Sequence, residues 1–180
     1  MEDLSLHLLD IAENSISARA SRINIFLEEN ISSNLLVLSI EDNGQGMDKE
    51  TLKKAVDPFF TSRTTRKVGL GLSLLAEAAR AAGGHFSIES SPGRGTKVRA
   101  TFKTDHWDMK PLGDIPQTLA TLIMGHPEVD IVYIHQKDGQ EFTFSTEDIR
   151  ARFNGQPLNS PGVMSFIINN LKEGTDLIRR

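Results

Sequence analysis

Three short segments carry residue types at spacings that suit phosphate and base chemistry. The first is Asp10, Asn14 and Ser17, separated by four and then three residues, so that a helix brings all three onto one face. The side-chain amide oxygen of Asn14 is a hard ligand suited to magnesium, which keeps several waters and completes its shell with a nucleotide's phosphates. Asp10, one turn earlier, is placed to orient or deprotonate a water attacking a terminal phosphate. The second segment is Glu41-Asp42-Asn43-Gly44-Gln45-Gly46-Met47, which follows an apolar run. An ionised carboxylate only accepts hydrogen bonds, so Asp42 would take up the exocyclic amine of an adenine and reject a ring that presents a carbonyl there. Gly44 and Gly46 would let the backbone approach such a ligand. The third is Lys67-Val68-Gly69-Leu70-Gly71-Leu72-Ser73, opening a helix whose free N–H groups and positive end can cradle phosphate. It lacks the Gly-Lys-Ser/Thr ending of a Walker loop and the glycine spacing of a dinucleotide fingerprint. Each segment has a plainer alternative: a solvated helix face, an Asn-Gly turn with a capping Asp, a tight loop-to-helix turn. Against the first alternative, a solvated face would more often show Lys and Glu than short polar residues.

These residues need elements to hold them. From Leu4 to Ala20 the apolar residues Leu8, Leu9, Ile11, Ala12 and Ile16 recur at helical period, with the polar stripe opposite. Ile23, Ile25 and Leu27 alternate as a strand, and Leu35 to Ile40 reads as a second, more buried one. Helices are expected at Lys49 to Val56 and from Leu70 to Ala82, the latter stopped by Gly83-Gly84. Two further strands, His85 to Ser90 and Lys97 to Lys103, flank the turn Pro92-Gly93-Arg94-Gly95. Antiparallel strands interleaved with helix pairs predict a two-layer α+β sandwich with helices on one face. Periodicity breaks between Thr104 and Asp114, which divides the chain into a domain over 1–104 and a small α/β domain over 105–180. In the second domain a helix at Ile115 to Met124, a hairpin of Asp130 to His135 and Glu141 to Ser145 around Asp138-Gly139, and helices near Glu147 to Phe153 and Pro161 to Leu171 are expected. The five histidines read as structural or surface residues, and Trp107 as an anchor of the domain junction.

Taken in order, the segments resemble the boxes of the GHKL ATPases: gyrase-type topoisomerases, the large heat-shock chaperone, sensor histidine kinases and MutL-type repair proteins. Asp10-Ile-Ala-Glu-Asn14 is similar to the family's Glu-x-x-x-Asn box, and Glu41 to Met47 to its Asp-x-Gly-x-Gly box. Asp57-Pro-Phe-Phe-Thr-Ser-Arg63, Val68-Gly-Leu-Gly-Leu-Ser73 and Ser91-Pro-Gly-Arg-Gly-Thr96 resemble the later boxes of histidine kinases. The resemblance implies a histidine kinase-like fold that binds ATP with magnesium, with Asn14 as the metal ligand, Asp42 as the adenine reader and Thr96 bonding around that adenine. It also implies a pocket formed by Gly44, Gly46, Met47, Gly69, Leu70, Gly71 and Leu72, with Phe59 in the phenylalanine box. Thr61 to Lys67 would be a lid, with Arg63, Arg66 and Lys67 neutralising phosphate. Two departures stand out. Asp10 replaces the glutamate of the hydrolysing members, one methylene shorter, so hydrolysis is expected to be slow or absent; and Lys67 stands where a kinase lid commonly carries glycine.

Composition narrows the function. With 20 Lys and Arg against 24 Asp and Glu, the net charge of -4 gives no counterion-release drive toward nucleic acid or anionic lipid. There is no cysteine, which excludes disulfides and thiolate metal sites. The acidic start and short apolar runs predict a cytoplasmic protein without a signal or membrane span. The absence of a phosphoacceptor hairpin ahead of the first box argues against a self-contained sensor kinase. The expected function is therefore a Mg-ATP-dependent regulatory switch whose residues 105–180 grip an unidentified regulatory protein or a second copy of the chain. The alternative is a kinase acting on a separate protein, in the manner of the anti-sigma-factor serine kinases or of histidine kinases.

Overall fold

The computed structural model describes residues 3–57 and 70–179. Helix α1 (Leu4–Ser17) starts where Asp3, in extended backbone, accepts a hydrogen bond from the Leu6 amide at 3.0 Å. It ends at Ser17 instead of the expected Ala20 because Arg19 takes a φ of 60°. The amides of Arg19 and Ala20 then turn back onto the carbonyls of Ile16 and Ser15. The chain continues through β1 (Arg22–Asn30), β2 (Leu35–Asp42), α2 (Lys49–Val56), α3 (Leu70–Ala81), β3 (Phe86–Ser90) and β4 (Thr96–Lys103). It closes with α4 (Ile115–Gly125), β5 (Asp130–Lys137), β6 (Gln140–Ser145), α5 (Thr146–Arg152) and α6 (Pro161–Arg179). The last helix runs past the expected Leu171 because its buried stripe continues through Gly174, Thr175 and Ile178.

The architecture is the expected α+β sandwich: a six-stranded sheet in the order β3-β4-β2-β1-β5-β6, covered on one face by helices. Strand alternation builds the core. Ile23, Ile25 and Leu27 of β1, Leu36, Leu38 and Ile40 of β2, and Val98, Ala100 and Phe102 of β4 are all buried beneath α1 and α3. Neighbouring strands are antiparallel except β1 and β5, which run parallel with Ile25 opposite Tyr133.

That parallel pair carries the sheet across the division expected after residue 104. Ile131 and Tyr133 enter the same apolar core as Ile25 and Leu38. The irregular stretch between β4 and α4 is tied to α1 by the amides of Leu4 and Ser5, which donate to the carbonyls of Pro111 and Leu112, both at 2.9 Å. Trp107 is not the anchor expected there; it is 98% exposed. Among the described residues no helix is long and apolar enough to cross a membrane.

Candidate functional site

β2 ends with Asp42 on the helix-covered face of the sheet, 8% exposed. Its Oδ2 accepts from the Ser15 hydroxyl at 2.6 Å, and its Oδ1 from the amides of Gly44 at 2.8 Å and Thr96 at 3.2 Å. These donors come from α1, from the turn after β2 and from β4, so three separate elements orient one carboxylate. A carboxylate has about four acceptor sites, which leaves capacity for a further donor.

Two glycine turns frame Asp42. A Cβ on Gly46, at φ 68°, would lie 2.0 Å from the Ser91 carbonyl oxygen, and one on Gly95, at φ 77°, 1.9 Å from that of Asp42. Only glycine meets both demands, close approach and positive φ. The Ser90 hydroxyl stitches the turns together, accepting from the Met47 amide at 2.8 Å and donating to the Gly95 carbonyl at 3.0 Å. The Thr96 hydroxyl lies 2.9 Å from it.

Between these turns, α1 and the start of α3 lies a cavity of about 230 Å³. Ile11, Ala18, Met47, Leu72 and Val98 give it apolar walls, while Asn14, Ser17, Asp42 and Thr96 supply the polar groups. Residues predicted from distant segments thus converge: Asn14, Ser17, Asp42, Gly46, Met47, Leu72 and Thr96 share one cavity. Gly44 lies behind Asp42, where a Cβ would sit 2.8 Å from the Ala18 carbonyl oxygen. Leu70 opens α3 outside the cavity lining, with its side chain 63% exposed. Gly71 packs on α1; a Cβ there would lie 3.1 Å from Asp10 Cβ and 3.6 Å from Asn14 Nδ2. The first turn of α3 therefore rests on the Asp10 and Asn14 stripe. Phe59, Arg63, Lys67 and Gly69, with the expected lid, lie outside the described residues.

Asp10 is exposed and outside the cavity lining. Partial desolvation raises its carboxyl pKa above the ordinary value, with Glu13 adding to the effect. Among the described residues no group of three or more His, Cys, Asp or Glu could hold a metal ion. Among the described residues, Asp10 and Asn14 bring a carboxylate and a side-chain amide to the start of α3. Such a donor set fits an ion completed by phosphates and water, not a closed protein cage.

Sequence reasoning overlooked Ser15. It is 3% exposed, one turn after Ile11 on the apolar side of α1, and it holds Asp42. A hydroxyl at a core position of an amphipathic helix was the available signal, because a buried polar group needs a partner. Of the two roles expected for the histidines, structural or surface, His7 takes the structural one and faces the core. It is 1% exposed, neither ring nitrogen has a hydrogen-bond partner among the described residues, and burial pushes its pKa down to about 4.

A helix layer over a mixed, largely antiparallel sheet, with a glycine-framed carboxylate in an apolar cavity, defines a nucleotide-binding ATPase domain of the GHKL class. Residues 2–106 match the model of the histidine kinase-, DNA gyrase B- and HSP90-like ATPases, and the chain belongs to that family. A putative sensor protein of Shewanella frigidimarina is 36% identical over 97 residues, covering 53% of this chain and 15% of that protein. The sensor protein kinase FleS of Pseudomonas aeruginosa is 40% identical over 89 residues, covering 49% of this chain and 22% of that protein. The chain thus spans less than a quarter of these relatives' length. In fold, it is similar to the crystal structure of the N-terminal domain of a DNA repair protein, with a TM-score of 0.59 at 15% identity over 85% of this chain and 57% of that one. A match over that share of the chain extends past residue 106.

Proposed function

We propose that this protein is a Mg-ATP-dependent regulatory switch in which adenine enters the Asp42 cavity and the phosphates leave it toward the start of α3. The observation that carries this reading is Asp42 itself, held by Ser15, Gly44 and Thr96 at one end of an apolar cavity. At about 230 Å³ the cavity is smaller than the roughly 300–1,000 Å³ of sites that enclose a whole small molecule. That size suits the base, with ribose and phosphates outside. Asn14, beside Gly71, is the residue we assign to magnesium, which when bound neutralises phosphate charge. The phosphates would meet backbone amides at the start of α3, and Arg63 and Lys67, in the segment expected to form a lid, would neutralise them. Residues 105–180 would hold the regulatory partner, and the protein would work in the cytoplasm, where ATP is abundant.

Turnover rests on Asp10. Its raised pKa suits a group that accepts the proton of an attacking water, but its short side chain predicts slow hydrolysis or none. Calorimetric titration with ATP and magnesium tests the binding reading: wild type binds, and Asp42→Ala does not. Unchanged binding by Asp42→Ala would overturn the assignment of the adenine reader. The similarity to FleS, a sensor protein kinase, supports a second reading, phosphoryl transfer to a separate protein. Label from γ-labelled ATP appearing on a protein in a lysate would favour that reading over the pure switch.

A further inference from the structure

Both layers of the fold end at the same side of the molecule, and among the described residues no strand pairs with the outer edge of that end of the sheet. In the sheet the last strand is β6, which pairs with β5 on one side only. In the helix layer α6 follows α3, α1 and α4 and rests on β5, β6 and α4, with Arg152 and Phe153 at the end of α5 against its Phe166. An edge strand presents a row of unpaired N–H and C=O groups, and monomeric proteins commonly guard it with charged side chains, lysine above all, with proline or with a bulge. β6 reads Gln140-Glu141-Phe142-Thr143-Phe144-Ser145, with Glu141 near its start as its single charge and neither lysine nor proline, and pairs with β5 in unbroken register from Gln140 to Ser145. Above it, Gly174 of α6 sits on the Phe142 ring, where a Cβ would come within 2.1 Å of a ring carbon. The helix is thereby pressed close to the strand. One turn after Gly174, Leu177 is 64% exposed, and it is the exposed large apolar side chain of α6.

The sequence of β6 is also suited to pairing with itself. In an antiparallel pair centred on Thr143, that residue faces its own copy. Phe142 then faces Phe144 of the other chain, and Glu141 faces Ser145. The arrangement matches aromatic with aromatic on the core side and threonine with threonine on the open side, pairs that stabilise neighbouring strands. It sets no like charges opposite each other. A shift by two positions would place Gln140 against Phe144 in one direction, or Phe142 against Thr146 beyond the strand in the other, and a shift by one would turn core residues outward. From this geometry we propose that the chain forms a two-fold symmetric dimer through β6, extending the sheet across the axis and bringing the two α6 helices, with Leu177, side by side. The proposal deepens the assignment of residues 105–180 to partner binding by naming the partner as a second copy.

Because the chain has no cysteine, single cysteine variants report the register directly. Across an antiparallel pair, directly opposed Cβ atoms lie about 4.5–5.5 Å apart, close to disulfide reach. Thr143→Cys should therefore give a reducible cross-linked dimer on mild oxidation. Ser145→Cys should not, because the two copies of that position would lie four residues apart along the strands, about 13 Å. Light scattering after size exclusion should give the mass of two chains for wild type and of one chain for Thr143→Lys, which places two ammonium groups opposite each other on an exposed position. A wild-type mass of one chain throughout a micromolar concentration series would overturn the proposal. So would cross-linking of Ser145→Cys as readily as Thr143→Cys, or a persistent dimer in Thr143→Lys. ATP titration of the same samples separates the two claims. A monomer that binds ATP defeats the dimer alone, and a dimer that does not bind it defeats the nucleotide reading alone.

Discussion

At the scale of single residues, the hydroxyl of Ser15 decides how well Asp42 is aimed. Removing it leaves one carboxylate oxygen without its 2.6 Å donor, and losing a buried hydrogen bond to a charged group costs about 1.5–3 kcal/mol. Ser15→Ala should therefore weaken ATP roughly ten-fold or more in calorimetry while leaving the far-ultraviolet dichroism unchanged; unaltered affinity would show that Asp42 does not need this donor. His7 makes a different prediction. Its pKa is about 4 in the folded chain, against 6.5 for the free side chain, so the unfolded state binds more protons between those values. Stability conferred by the neutral ring is complete above pH 6.5 and is lost as the pH falls toward 4, by up to about 3 kcal/mol. Urea titrations across that window should show the fall, and His7→Leu should flatten it. The role of Ser15 was not legible beforehand, and for His7 the sequence left a buried and a surface position open. Ser15 and His7 sit on the buried side of α1, and their surroundings come from β2 and from the 104–114 stretch, distant in sequence.

At the scale of elements, the turns around Asp42 tolerate no side chain where backbone meets backbone. Gly95→Ala combines a φ of 77° with a Cβ 1.9 Å from a carbonyl oxygen, so it should cost well over 2 kcal/mol and lower the Tm by about 5 °C or more. Gly93 also has a positive φ, 75°, but a Cβ there meets nothing within 4 Å. Gly93→Ala should cost only about 1 kcal/mol, and thermal melts of the two variants check the ranking. The elements themselves were largely readable. Period and stop signals marked α1, β1, β2 and α3, because each is amphipathic or bounded by turn residues. The misplaced ends have local causes. Arg19 adopts a left-handed conformation that glycine would have advertised, and α6 buries Gly174 and Thr175, residues that do not read as an apolar stripe.

At the scale of the whole molecule, nothing local in either strand announces that β5 pairs with β1. Their parallel register, Arg22 with Asp130 through Glu29 with Lys137, joins segments more than a hundred residues apart into one sheet. The order of the boxes was legible, and so was their convergence, because the family resemblance carries three-dimensional information that periodicity lacks. What the molecule does with that convergence depends on whether the cavity selects adenine. The most direct measurement is competition of ATP and GTP for the wild-type protein in the presence of magnesium. A carboxylate held as Asp42 is held accepts from the exocyclic amine of adenine and opposes the carbonyl of guanine. ATP should therefore bind at least about a hundred-fold more tightly than GTP. Equal affinity for the two nucleotides would contradict the placement of the base against Asp42.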